Sequence, residues 1–511
     1  MKTLLYLKLE FTKAKRQGMW FALCILCLFD HVYFSFGIGR NAGSLSQGWL
    51  LLLYNLPLLN AIILPVFYAV LASRLIDCEH KENTWKMLET IQSKTNLFIS
   101  KALIGLCYIL LFSCMQLISV FVIGTFHGLK GMPDLWAYAL YFVQTILISF
   151  VLYLIQLLLS FAFYNQAISL CVGLTGGLIG LFIMLLPRSF FYEIIPWGLF
   201  GANMFVGMNW DSVTRDMDFY YTTPIDGAFL WVFLWIVFLL LAGWLLFQKR
   251  PIEGFSFHSK ATKSHSSKAI RNLRLPIEYA KLKGSPIWIA FVILPLISAL
   301  IGTFNYQGNV AVLNDLWYSL WSQHTLFLCY FFMPALLGVY CSYLWRLEHT
   351  GTNWNQLMVH ISPWKLVRDK LFCAISVLGL SLLWISALFL LCGKMAGFTE
   401  SAPSELIEWL LCGFLGGICI CCIQLFFSLV IRSFSIPIAM ALMGSIAGLM
   451  LTSHGLWYLL PYSLFSIGMR ANNPFFQLDY GVFFLFCICF CGGFYLLSVF
   501  YLKHTDVRTM N

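Results

Sequence analysis

The chain repeats itself. Residues 75–101, LIDCEHKENTWKMLETIQSKTNLFISK, return as residues 344–370, LWRLEHTGTNWNQLMVHISPWKLVRDK. At a constant offset of 269, Pro65, Ser73, Leu75, Glu79, His80, Trp85, Leu88, Ser93, Leu97 and Lys101 recur as Pro334, Ser342, Leu344, Glu348, His349, Trp354, Leu357, Ser362, Leu366 and Lys370. A fixed internal period means that one structural unit is used twice. In each copy the segment is a polar, amphipathic insert between two long apolar runs, so each unit sets a water-facing element between two buried ones.

The apolar runs define the solvent. Hydrophobic residues make up 60% of the 511 and charged ones 11%, against roughly 25% charged in a soluble domain. A chain this apolar cannot cover itself with polar surface, and the sequence predicts an all-α polytopic membrane protein. With about 20 apolar residues needed per span, the first half offers Gly18–Ile38, Leu50–Ile76, Leu97–Thr125, Leu135–Phe163, Ala167–Leu186 and Ala228–Phe247. The second offers Ile287–Phe304, Trp321–Trp345, Leu371–Cys392, Leu406–Ile431, Ile436–Leu451 and Val482–Leu502. Twelve spans as two sets of six enter the membrane in the same sense, as parallel repeats. The expected division is a first half at 1–250, a linker at 251–275 and a second half at 276–511.

Lys and Arg counts set the orientation. With the N-terminus inside, all but Arg40, Lys130, Arg188, Arg215, Lys394 and Arg470 of the 32 basic residues fall on the cytoplasmic side. Both termini and both inserts then face the cytoplasm. Residues 1–16 have the charged start of a signal peptide, yet Glu10, Lys13, Lys15 and Trp20 reappear as Glu278, Lys281, Lys283 and Trp288 in mid-chain, where no signal peptide lies. Each half therefore opens on a basic amphipathic helix lying at the lipid surface. The polar stretch Gln248–Ser285 lacks interleaved aromatics and reads as a linker touching acidic headgroups, with no nucleic-acid partner. On the outer side, Leu186–Gly227 and Thr452–Gly481 are too short and Pro-broken to span but too apolar for solvated loops, and re-entrant helices fit them. The 17 cysteines sit mostly inside apolar runs and read as small hydrophobes.

Within the second insert, Trp354, Leu357, Met358 and Ile361 form a stripe at helical spacing; Trp85, Leu88 and Ile91 form a looser one in the first. Ser93-Lys94 and Ser362-Pro363 then give the start signals of the next helix. Each insert is expected to be a short helix turned sharply between two spans. It either docks a soluble partner or lies on the membrane with its Trp as anchor; retention of the same residues in both halves favours docking.

These residues carry a resemblance. The order of a basic interfacial helix, two spans, the segment EHKENTWKML at residues 79–88, four more spans and outer hairpins is similar to the ABC-2 type permeases, and in particular to lantibiotic and bacteriocin immunity permeases. The second copy, EHTGTNWNQL, departs by placing Asn353 where the first has Thr84. The resemblance implies a permease subunit with two six-helix halves fused, docked through Glu79, His80, Trp85, Leu88, Glu348, His349, Trp354 and Leu357 onto two copies of a cytoplasmic ATPase. ATP and Mg would belong to that partner, and the cargo would be an amphiphilic peptide. The chain itself has no G-x-x-x-x-G-K-[ST] phosphate loop.

Inside the spans, Asp30 and His31 lie toward the outer end of the first helix, and Gln156 and Gln424 match in mid-span. Ionisable and amide groups at such depth mark functional paths or hold helices together, and these four are candidates for a polar path. Gly176/Gly180 and Gly444/Gly448 repeat a G-x-x-x-G, whose plain reading is close helix packing. No metal-ligand spacing is present. The alternative to an ATP-driven exporter is a secondary transporter of the major facilitator type, whose Gly-Asp-Arg loop after the second span is absent; a membrane enzyme would need clustered acids or histidines.

Overall fold

The computed structural model describes residues 2–16, 18–40, 47–81, 85–163, 166–185, 191–210, 217–249, 287–310, 312–346, 348–349, 354, 361–471 and 473–505. The linker and the basic segment that opens the second half lie outside the described residues. By internal contacts the chain forms two compact units, Met1–Phe257 and His258–Asn511.

The first unit begins with the amphipathic helix α1 (Lys2–Arg16), followed by α2 (Met19–Arg40) and α3 (Gly48–Lys81). The insert helix α4 (Trp85–Ile91) turns the chain into α5 (Lys94–Phe126), after which come α6 (Leu135–Ala162) and α7 (Gln166–Leu185). Two single-turn helices, α8 (Phe191–Ile194) and α9 (Leu199–Ala202), lead to α10 (Ala228–Lys249). The second unit holds α11 (Ile287–Gly308), α12 (Leu316–Arg346), α13 (Pro363–Met395), α14 (Leu406–Val430), α15 (Ser435–Ser453), the short α16 (Pro461–Gly468) and α17 (Tyr480–His504).

Among the described residues, eleven helices are long and apolar enough to cross a bilayer, and α7 is apolar over the shorter stretch Ile168–Met184. The expected all-α polytopic architecture of two repeated halves is thus the one found, with eleven candidate spans among the described residues against the twelve expected. The capping signals act as chemistry dictates: Ser93 Oγ accepts from Asn96 N at the start of α5, and Pro363 opens α13 behind an extended Ser362. Pro57 and Pro65 are carried inside α3, whereas α12 passes through a π-helical stretch, Leu328–Phe332, just ahead of Pro334. Proline has no N–H to give to the ladder, and the wider turn accommodates that loss.

One element departs from expectation. Within the first outer segment lies a two-stranded antiparallel hairpin, β1 (Val206–Trp210) with β2 (Met217–Tyr221), in the register Val206↔Tyr221 to Trp210↔Met217. Gln47 fastens it, donating from Nε2 to Asp218 Oδ1 at 2.7 Å and accepting from Phe219 N at 3.0 Å. Tyr221 OH adds a bond of 3.2 Å to Asp134, the residue that caps α6.

The G-x-x-x-G pairs have a use that helix pairing did not anticipate. A Cβ at Gly176 would fall 2.1 Å from the Trp197 ring, and one at Gly180 2.4 Å from the Trp197 carbonyl oxygen. In the second unit a Cβ at Gly444 would meet the Tyr462 ring at 2.3 Å, and one at Gly448 Ser463 N at 3.0 Å. In both halves the glycines form the seat of an aromatic side chain from the short helical segment that follows.

Candidate functional site

Each insert stands on a buried ion pair. Lys101, the eighth residue of α5, lies 1% exposed and points its ammonium at the end of α3, where it donates to Leu75 O at 2.8 Å and Glu79 Oε1 at 3.0 Å. A third bond of 2.7 Å goes to Glu10 Oε2, on α1. Lys13 closes the group, bonding Glu79 Oε1 at 2.8 Å and Glu10 Oε1 at 3.2 Å. Two carboxylates and two ammoniums thus bind α1, α3 and α5 together, with charges balanced and each ion hydrogen-bonded, the condition under which buried ions are tolerated. Burial opposes the charge on Lys13, but the attraction of Glu10 and the hydrogen bond it donates to Glu79 outweigh it and raise its pKa above the ordinary lysine value.

The second unit repeats this geometry. Lys370, fully buried, donates to Leu344 O and to Glu348 Oε1, the latter at 2.8 Å. Leu75, Glu79 and Lys101 are the first-half residues at the same offset of 269. Here an aromatic floor supports the ammonium: Lys370 Nζ is 4.7 Å from the Trp345 ring, which stacks on Trp354 at 5.7 Å. His349 packs beside Trp354 and sits 3.0 Å by Nε2 from Ser428 O on α14. Burial lowers its pKa below the ordinary 6.5.

The insert tryptophans point into the bundle. Trp85 is 3% exposed and meets Phe161 edge-on at 5.4 Å; Phe161 in turn stacks on Phe247 at 3.7 Å. Trp354 is 1% exposed. As Glu79 and Glu348 are also buried, these four of the expected docking residues are placed as anchors that hold the insert against its own spans. Leu88 is half-buried, the His80 side chain and Leu357 lie outside the described part, and the outward surface of α4 is formed by Met87, Glu89, Thr90 and Ile91. Met87 and Ile91, one turn apart and 58% and 59% exposed, make an apolar knob flanked by the Glu89–Lys94 pair, 3.2 Å apart.

The four polar-path candidates fall in separate places. Gln156, fully buried, has its amide 2.7 Å from Ser169 Oγ on α7. Gln424, equally buried, donates to Tyr462 OH at 2.6 Å, so the same Gln holds α7 in one half and the seated aromatic in the other. Asp30 faces inward and His31 pairs by Nδ1 with Ser119 Oγ at 2.9 Å. What sequence reading passed over is the company of Asp30: Gln116 on α5, Asn60 on α3 and Tyr141 on α6, all buried. The signal was there, since each is a polar side chain in the middle of an apolar run. Lys101 and Lys370 likewise stood among the repeated residues without being singled out.

A duplicated polytopic bundle with paired inserts, each clamped by a buried lysine, is the frame of a membrane transport component. A family model described as ABC-2 family transporter protein matches it twice, over residues 6–180 and 275–448. The two matches begin one repeat apart, and the chain belongs to the ABC-2 transporter family. Membership makes it the membrane component of a transporter that works with an ABC ATPase, and gives the major-facilitator alternative no support. Among curated proteins no match is found.

Proposed function

We propose that this chain is the transmembrane permease subunit of an exporter that expels amphiphilic antimicrobial peptides from a bacterial plasma membrane, driven by two copies of a separate ATPase that carry ATP and Mg. The observation that carries this reading is the repeated Glu–Lys clamp beneath each insert. A lever transmits force only if its foot is fixed, and both inserts are fixed in the same way to the spans on either side. The Lys and Arg distribution supports a cytoplasmic placement of termini and inserts, where an ATPase would meet the Met87/Ile91 knob of the first insert. The peptide cargo rests on the resemblance to immunity permeases and on aromatic outer segments that suit an amphiphile.

The test is purification of the full chain from its native host with quantification of bound ATPase. Two copies per chain are expected. Met87→Asp with Ile91→Asp should lower ATPase recovery while the permease remains folded in the membrane. Recovery of the wild-type chain alone, in a form that transports without ATP, would reject the reading.

A further inference from the structure

The first half contains a buried acid whose equivalent position in the second half is uncharged. Asp30 is 2% exposed, on the face of α2 opposite Phe21, Leu28 and Val32, which point out of the unit at 72%, 63% and 43% exposure. Gln116 Nε2 donates to its Oδ2 at 2.7 Å. The same amide nitrogen is 2.9 Å from Asn60 Oδ1, while Gln116 Oε1 accepts from Asn60 Nδ2 at 3.1 Å and from Tyr141 OH at 2.9 Å. Asn60 Nδ2 also donates to Tyr141 OH at 2.6 Å. Thr145 lies beside Tyr141 and Ser149 beside Tyr68, and the hydroxyls of Tyr68, Thr145 and Ser149 are buried without a well-formed hydrogen bond among the described residues.

Two features of this cluster call for a ligand. No basic side chain pairs with Asp30 among the described residues, in contrast to every other carboxylate buried to this depth: Glu10, Glu79 and Glu348 each have a lysine. An acid inside a membrane span is expensive to keep, and one held by an amide donor alone has room in its chemistry for a cation. Second, the groups around Asp30 are amide oxygens and a tyrosine hydroxyl, neutral acceptors that suit the N–H donors of an organic ammonium. At the matching positions of the second half stand Ser298, Cys329, Ile385 and Trp409, which carry no charge.

We propose that the first half binds the ammonium group of a cationic amphiphile at Asp30, with Gln116 standing in for it in this structure and the oxygens of Asn60 and Tyr141 supplying further acceptors. Access is by outward movement of α2, which leans mainly on α5. This rests on the transporter reading and narrows its substrate class to amphiphiles bearing a protonated amine.

The experiment uses the full chain in nanodiscs of zwitterionic phosphatidylcholine, without ATPase, so that its result is independent of ATPase recruitment. Octylammonium, octanol and octanoate are titrated calorimetrically. Wild type should prefer octylammonium, and Asp30→Asn, which keeps an acceptor for Gln116, should lower that affinity about tenfold, the loss of one charge-assisted contact, with octanol unchanged. Gln116→Met removes the competing donor and should tighten octylammonium binding. An Asp30→Asn protein that still prefers the ammonium, a wild type that does not distinguish the three probes, or a Gln116→Met protein with unchanged or weaker binding overturns the proposal. Should Asp30→Asn fail to fold, the Gln116→Met result decides.

Discussion

The lysines at the foot of each insert are the residues on which most depends. Lys101 serves two carboxylates and a carbonyl at once, so Lys101→Met takes from Glu10 and Glu79 the buried cation they share. Loss of one member of a buried ion group costs about 3–5 kcal/mol, and thermal unfolding in detergent should fall accordingly. Lys370→Met should act in the same direction, with the added loss of the Trp345 contact. Glu79→Gln, which retains an acceptor for Lys101, should be milder than either. His349 makes a second residue-level case. Its folded pKa is lowered, so between that value and the ordinary 6.5 the unfolded chain takes up a proton that the folded chain does not. The stabilisation is complete above 6.5 and is lost as pH falls toward the folded value. Hydrogen exchange at the α12 end should therefore speed up from pH 7 to pH 5 in wild type and stay level in His349→Gln.

At the scale of the element, the glycine seats tie the outer segments to α7 and α15. Gly180→Ala would push a methyl into the Trp197 carbonyl, a backbone clash that side-chain motion cannot relieve. Overpacking of this kind costs roughly 1–3 kcal/mol, and it should show as a shift in tryptophan emission together with a lower unfolding temperature. Tyr462→Phe should cost about 1–2 kcal/mol by leaving the Gln424 amide without its acceptor. Helices were the most legible elements in the sequence, because a run of apolar residues, a Ser cap and a helix-opening Pro each report on local backbone chemistry. The direction of an amphipathic stripe was not. Trp85, Leu88 and Ile91 share a spacing, yet Trp85 is buried against Phe161 and Ile91 is open to solvent; periodicity says that a face is apolar, not whether it meets lipid, a partner or the chain's own spans. The β1–β2 hairpin escaped notice for a related reason, since five-residue strands held by Gln47, about 170 positions upstream, leave little local pattern.

At the scale of the molecule, the halves agree in scaffold and differ in contents. The repeat itself was plain in the sequence, and with it the clamp: Leu75, Glu79 and Lys101 already matched Leu344, Glu348 and Lys370. That the three residues meet was not legible, because the contact depends on how sharply the insert folds the chain back. The Asp30 cluster was harder still, being assembled from four helices and present only once. Accordingly, paired substitutions should sort by this distinction. Lys101 and Lys370 variants should resemble each other in ATP-dependent transport by the complex, whereas Asp30→Asn should impair it and Ser298→Ala, at the equivalent place, should leave it near wild type.

Because Glu10 shares Lys101 with Glu79, the surface helix α1 is mechanically in series with the insert. Any stroke that shifts the insert then also pulls on α1, so whatever α1 rests against becomes a load on the cycle. Removing residues 2–16 would free the stroke of that drag and, at the same moment, strip Lys101 of half its counter-charge.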